Sequence, residues 1–386
     1  MMSAHPFRLF LNPNAGMPGT VVLPDGGYRR ARAEITSWPG YAPTPLREFP
    51  DIAAAAGIGC LRIKDEAGRF GLGSFKALGG AYAVYQVLAS ELARRGIAAN
   101  ARSADLASGA YGAATAEITV TCATDGNHGR SVAWGAQRFG ARCVIFVHET
   151  VSQGRVDAIA QYGAEVRRVP GNYDDAVRAA AEVAAARGWF VVSDTSWEGY
   201  TQVPVDVMQG YRLMADEAIA QWSGAAPSHV FIQGGVGGVA AAVSVQMRGS
   251  YRPAPCLVVA EPDKAACLLA SAESGEPVAI PGDLDTLMAG LACGEPSLLA
   301  WQELGRGAAA FMAVPDEAAV DGMKLLRRHG MVAGESGVAG LAALRLAAAD
   351  PAARQALGLD AHSRVLLFST EGATDPALYA ALVGDG

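Results

Sequence analysis

The sequence predicts an α/β protein with parallel sheets flanked by helices, in two lobes, the smaller inserted into the larger. Three observations predict it. Short β-branched runs alternate with helix-length alanine-rich runs, the alternation pauses and resumes, and glycine-rich turns follow several of the strand-like runs. With 386 residues and 51% apolar composition, the chain is long enough to bury two cores.

In chain order, AEITVTCA reads as a strand and GRSVAWGAQRFG as the helix after it. CVIFVHE then pairs with SQGRVDAIAQYG, AEVRRVPG with YDDAVRAAAEVAAARG, and WFVVSDT with a long helical stretch ending at QW. The rhythm resumes at HVFIQGGVGG, CLVVAEP and VLLFSTEG. Alanine enrichment in these helical runs is helix propensity, not low complexity. No solenoid-like repeat is present. The compact rhythm between about 119 and 192 predicts the inserted lobe, with approximate boundaries of 91–192 for the small domain and 1–90 plus 193–386 for the large one.

Composition excludes several functions. A net charge of −7 with both signs dispersed offers no basic stripe for nucleic acid and no polybasic segment for an anionic membrane. The first residues lack a charged region followed by a sustained apolar one, and no run approaches the ~18 apolar residues of a membrane span, so a cytoplasmic location is expected. Six dispersed cysteines without a C-x-x-C pair, and histidines without H-x-H or H-E-x-x-H spacing, predict no metal site. The cysteines read as small core residues, with Cys267 and Cys293 the one pair worth testing for redox chemistry.

In open α/β sheets, ligands bind beyond the carboxyl ends of strands, and that rule singles out a few loops. GSFKALGGAYAV places Lys76 beside Phe75 among small and apolar residues; an amine there has its charged form disfavoured, which favours a nucleophilic lysine. VFIQGGVGGVAAAV ends a strand in Gly234, Gly235, Val236, Gly237 and Gly238 before a helix, a pattern that lets backbone N–H groups converge on a phosphate. It is neither G-x-G-x-x-G nor a Walker loop. VLLFSTEG ends in Ser369 and Thr370, which could be simple caps. TCATDGNHGR brings Asp125, Asn127 and His128 into one turn, a grouping that turn chemistry alone could also explain. VVSDTSWEGY contributes Asp194, which reads equally as a turn or helix-capping residue.

A lone lysine, a G-N-H-G turn, a glycine loop and a late Ser-Thr, in that order, resemble the fold-type II pyridoxal 5'-phosphate enzymes, the superfamily of threonine dehydratase and the tryptophan synthase β chain. Within it, RFGLGSFKALGGAYA, TCATDGNHGR, SDTSWEGYTQVPVDVMQGY and LMAGLACGEP resemble the diaminopropionate ammonia-lyase family, over about residues 40–376. The dehydratases usually carry Ser where this chain has Asp125. The resemblance implies two open twisted sheets with the active site in the cleft between domains, a homodimer, and a carbon–nitrogen lyase that eliminates from 2,3-diaminopropionate, of one or both enantiomers, giving pyruvate and two ammonia.

By the same resemblance, Lys76 forms the Schiff base with the cofactor, with Phe75 beside it. Asn127 bonds the ring 3'-oxygen, Gly234 to Gly238 cradle the phosphate, and Ser369 or Thr370 faces the pyridine nitrogen. Asp125 is then the candidate for the second face of the substrate or for its leaving amine, and Asp194 for the distal ammonium. His128 reads as structural, and Trp197, Tyr200 and the Met288–Cys293 loop as shaping or covering the site. The alternatives are a serine/threonine dehydratase or a β-replacement synthase on the same cofactor. From another class come a nucleotide-binding oxidoreductase and a non-catalytic phosphometabolite-binding protein.

Overall fold

The computed structural model describes residues 5–124 and 126–384. Its strands are β1 (Arg8–Leu11), β2 (Leu46–Glu48), β3 (Cys60–Asp65), β4 (Thr119–Ala123), β5 (Arg142–His148), β6 (Glu165–Val169), β7 (Phe190–Val191), β8 (His229–Gln233), β9 (Cys256–Pro262), β10 (Ala310–Val314) and β11 (Arg364–Ser369). They form a seven-stranded sheet in the order β1-β10-β9-β8-β11-β3-β2 and a four-stranded sheet in the order β6-β5-β4-β7. The second sheet is parallel throughout. The first is parallel except at its edges, where β1 and β2 run antiparallel to β10 and β3.

Every residue of β4, β8 and β10 is buried, as expected of parallel strands covered on both faces. The strands expected from the alternating rhythm are present. Four lie outside it for local reasons: β1 has only four residues, β3 carries Arg62 and Lys64 inside an apolar pattern, β10 is an alanine-rich pentapeptide, and β2 has only three residues.

The chain divides into two compact units, one of residues 1–22, 43–74 and 214–386, the other of residues 23–42 and 75–213. The first contains the large sheet, the second the small one. Residues 23–42, 75–90 and 193–213, which the rhythm alone assigned to the larger lobe, cluster with the smaller sheet. The reason is side-on helix packing. Helix Ala77–Arg94 lies against helix Asn127–Phe139 so closely that a Cβ on Gly135 would come within 2.8 Å of the Ala81 Cα.

Each sheet has one place where the strand order reverses. In the small sheet β4 leads to β5 and β6 on one side, and the chain returns to β7 on the other. In the large sheet β8 leads to β9 and β10 on one side, while β11 returns beside it. Diverging connections leave a crevice at the carboxyl ends of such strands. The crevices are therefore at the ends of β4 and β7, and of β8 and β11.

Candidate active site

Beyond β4, the Thr124 hydroxyl accepts hydrogen bonds from the N–H groups of Gly126 and Gly129, both at 3.0 Å. This closes the turn and starts helix Asn127–Phe139. Asn127 opens the helix half-buried, with its Oδ1 accepting from Arg130 at 2.8 Å. His128 is buried, and its Nε2 meets the Val192 carbonyl at 2.7 Å. A carbonyl only accepts, so Nε2 carries the proton. Burial lowers the pKa of the imidazole below its ordinary value, keeping it neutral near pH 7. His128 thus links the turn after β4 to the segment after β7, the structural part assigned to it from sequence. Asp125 lies outside the described residues.

Beyond β7, Asp194 is buried, and its Oδ2 accepts from the Lys76 Nζ at 2.5 Å. Burial alone would raise the pKa of this carboxyl; its neighbours His128 and Lys76 overcome it, and the group is held well below the usual carboxylate range. We assign the dominant partner as the Lys76 ammonium, because the imidazole is neutral and its Nδ1 stands 3.8 Å away. Lys76 sits at the amino end of helix Ala77–Arg94, where Nζ lies 5.3 Å from the Phe75 ring centroid and 5.7 Å from that of Tyr211. These two rings touch each other at 4.6 Å. From sequence this lysine has apolar surroundings that disfavour its charge; the structure adds two aromatic rings and the Asp194 carboxylate as a counter-ion, which favours the charged form.

Tyr200 anchors the Asp194 segment. Its hydroxyl accepts from the Ser193 N–H at 3.0 Å and donates to the Val191 carbonyl at 2.8 Å, while its ring stacks on Trp197 at 4.2 Å.

In the other unit, β8 runs into a turn closed by the Gly237 N–H on the Gly234 carbonyl at 3.0 Å, and helix Gly238–Ser250 follows. Gly235 and Gly237 have φ values of 56° and 97°, the left-handed region that a side chain disfavours. Among the described residues no protein acceptor is found for the N–H groups of Gly235, Val236 and Gly238. Unpaired amides at the buried start of a helix fit a phosphate dianion. At the end of β11, the Ser369 hydroxyl donates to the Glu371 carbonyl at 3.4 Å, and Thr370 Oγ1 accepts from Gln233 Nε2 at 2.6 Å. Cys267 and Cys293 are both buried, and neither is in a disulfide.

Sequence reasoning passed over Thr124, Tyr211 and Gln233. A polar residue closing an apolar strand immediately before the glycines was the available signal for Gln233; for Tyr211, inside a long helix, there was none.

Comparison with known proteins gives the family. The family model described as "Pyridoxal-phosphate dependent enzyme" matches residues 37–371. Diaminopropionate ammonia-lyase of Escherichia coli (strain K12) is 41% identical over 358 residues, 90% of this chain and 88% of that one. A crystal structure of the holo form of diaminopropionate ammonia lyase from Escherichia coli superimposes with a TM-score of 0.91 at 37% identity, covering 99% of this chain and 98% of that one. A structure of the same enzyme in complex with an aminoacrylate-PLP azomethine reaction intermediate gives 0.87 at 36% identity, covering 98% and 97%.

Proposed function

The chain belongs to the pyridoxal-phosphate dependent enzymes, on their diaminopropionate ammonia-lyase branch, and from that premise we propose that it eliminates ammonia from 2,3-diaminopropionate. The products are pyruvate and two ammonia, with one water consumed. The observation that carries the substrate choice is the pairing of Asp194 with the Lys76 ammonium at 2.5 Å. A buried carboxylate that already holds an alkylammonium is built for the β-ammonium of this substrate.

Pyridoxal 5'-phosphate, when bound, supplies an electron sink that acidifies the substrate's Cα–H. Lys76 would bear the cofactor and Asn127 would reach its ring oxygen. The N–H groups of the 234–238 loop would hold the phosphate, and the hydroxyls at the end of β11 would meet the ring nitrogen. The larger unit is the main cofactor-binding domain in this reading.

Lys76 Nζ, as the neutral amine once the β-ammonium has taken its place on Asp194, is the base for the Cα proton of one enantiomer, and Asp125 serves the opposite face. Asp194, ionised at neutral pH, holds the β-nitrogen in its ammonium form, the only form in which an amine leaves readily. Serine and threonine offer a neutral hydroxyl at that place and leave Asp194 without a cation. A dehydratase on the same cofactor is therefore the weaker reading.

The test is pyruvate release from D- and L-diaminopropionate, serine and threonine, with wild type and Asp125→Asn. Diaminopropionate should be turned over fastest, and Asp125→Asn should retain cofactor while depressing the two enantiomers unequally. Faster release from serine would overturn the substrate assignment; equal, small effects on both enantiomers would return Asp125 to turn chemistry.

A further inference from the structure

Resting on that cofactor reading, we infer that Gln233 is a positioning residue: it makes Thr370, and not Ser369, the hydroxyl that donates to the cofactor's ring nitrogen, and so keeps that nitrogen unprotonated.

Gln233 closes β8, and β8 and β11 are parallel neighbours, so Gln233 and Thr370 emerge at the same end of the large sheet. One end of the Gln233 amide faces three oxygens: the Phe368 carbonyl at 3.0 Å, the Gly337 carbonyl at 3.3 Å and Thr370 Oγ1 at 2.6 Å. Carbonyls only accept, so this end of the amide is the NH2 group. Thr370 Oγ1 is therefore reached by a donor and acts as an acceptor there. Its own proton remains to be given away.

Thr370 is 3% exposed, and among the described residues its O–H finds no acceptor. The Ser369 proton, by contrast, is directed to the Glu371 carbonyl. Of the two hydroxyls that sequence left undecided, Thr370 is the one without a protein acceptor for its proton among the described residues, while Ser369 has the Glu371 carbonyl at 3.4 Å.

The amide is held where it is by its surroundings. Gln233 is 1% exposed, and its NH2 end is tied to the Phe368 and Gly337 carbonyls. An amide locked by two carbonyls cannot turn its oxygen to Thr370. A pyridine nitrogen facing this hydroxyl is favoured as the acceptor of its proton, because a protonated nitrogen would leave the Thr370 proton without an acceptor. A carboxylate at position 233 would reverse the direction: it would take the Thr370 proton, present a lone pair to the ring and favour the pyridinium form.

The experiment uses holoenzyme loaded with pyridoxal 5'-phosphate carrying 15N in the ring, read by NMR. Wild type and Ser369→Ala should share the signal of a hydrogen-bonded, unprotonated pyridine. Thr370→Val should move it toward free pyridine. Gln233→Glu should move it toward pyridinium, with kcat for diaminopropionate lowered on the order of tenfold, the worth of one reversed hydrogen bond, and KM little changed. Should Gln233→Glu not fold, Gln233→Met removes the same donor and should also shift the signal.

A pyridinium signal in wild type overturns the inference. So does a shift caused by Ser369→Ala and not by Thr370→Val, or an unchanged signal in a folded Gln233 variant. Wild-type protein that retains no cofactor at all would instead overturn the functional reading on which this one rests.

Discussion

Lys76 and Asp194 stand 118 residues apart in sequence and 2.5 Å apart in space, and most of the chemistry follows from that pair. An exposed ion pair is worth little, but this carboxylate is buried and pairs with the amine itself. Its depressed pKa has a definite sign. Ionisation, and the stability tied to it, is retained above the ordinary carboxylate range and lost only as pH falls below it, so Asp194 gives no limb to a pH–rate profile near neutrality. Asp194→Asn should raise KM for diaminopropionate by at least about tenfold, since a charge-assisted hydrogen bond is worth about 1.5–3 kcal/mol, with a much smaller effect on serine. Equal losses on both substrates would show that Asp194 only positions Lys76. Lys76→Ala should abolish the visible cofactor band outright.

At the scale of elements, two features govern how the strands and helices that present the site are held. Lys64 on β3 and Arg69 in the following turn share Glu217, with Lys64 at 2.7 Å, Arg69 at 2.7 and 2.8 Å, and Glu66 closing the group on Arg69 at 2.8 Å. Two buried cations balance two buried carboxylates, tying β3 to the end of helix Gln202–Gln221. Removing one member strands charge in the core, and Glu217→Gln should cost about 3–5 kcal/mol, read from urea unfolding. A loss under about 1 kcal/mol would show that water reaches the group.

The same helix carries Asp206, whose carboxyl burial pushes up to about 6, against the pull of Gln202 and Arg30. With a folded pKa above the unfolded value of 3.8, the stability attached to this group is full below that value and drains away as pH rises through about 6. Asp206→Asn should gain melting temperature on wild type as pH rises from 4 to about 7. A pH-independent difference would contradict this.

Across the whole molecule, each unit has its own sheet and buried core, and the net charge of −7 is spread over 386 residues. No helix among the described residues is long and apolar enough to cross a membrane. We propose a homodimer, for which sedimentation should give twice the 39.8 kDa chain mass; a monomer that is fully active would refute it. The folded chain gathers the lysine and the phosphate-holding amides that the unfolded chain leaves scattered, so the cofactor binds it more tightly. At a hundred times its dissociation constant it should therefore add about 2.7 kcal/mol to stability, and scanning calorimetry with and without pyridoxal 5'-phosphate measures that gain.

Strand–helix alternation, the glycine loop before helix Gly238–Ser250 and the amine among small residues at Lys76 are local patterns, because backbone period and turn geometry are set by residues within a few positions of each other. They determined the fold class and singled out the candidate site residues, and the resemblance those motifs carry pointed to the cofactor family. The assignment of helix Ala77–Arg94 to the smaller sheet, the Lys76–Asp194 pair, the Tyr200 clasp and the Gln233 amide that separates Thr370 from Ser369 were decided only by the tertiary structure. Each is a hydrogen bond or a close approach between segments distant in the chain, and a sequence carries no local signal for which donor will meet which acceptor once the sheets have formed.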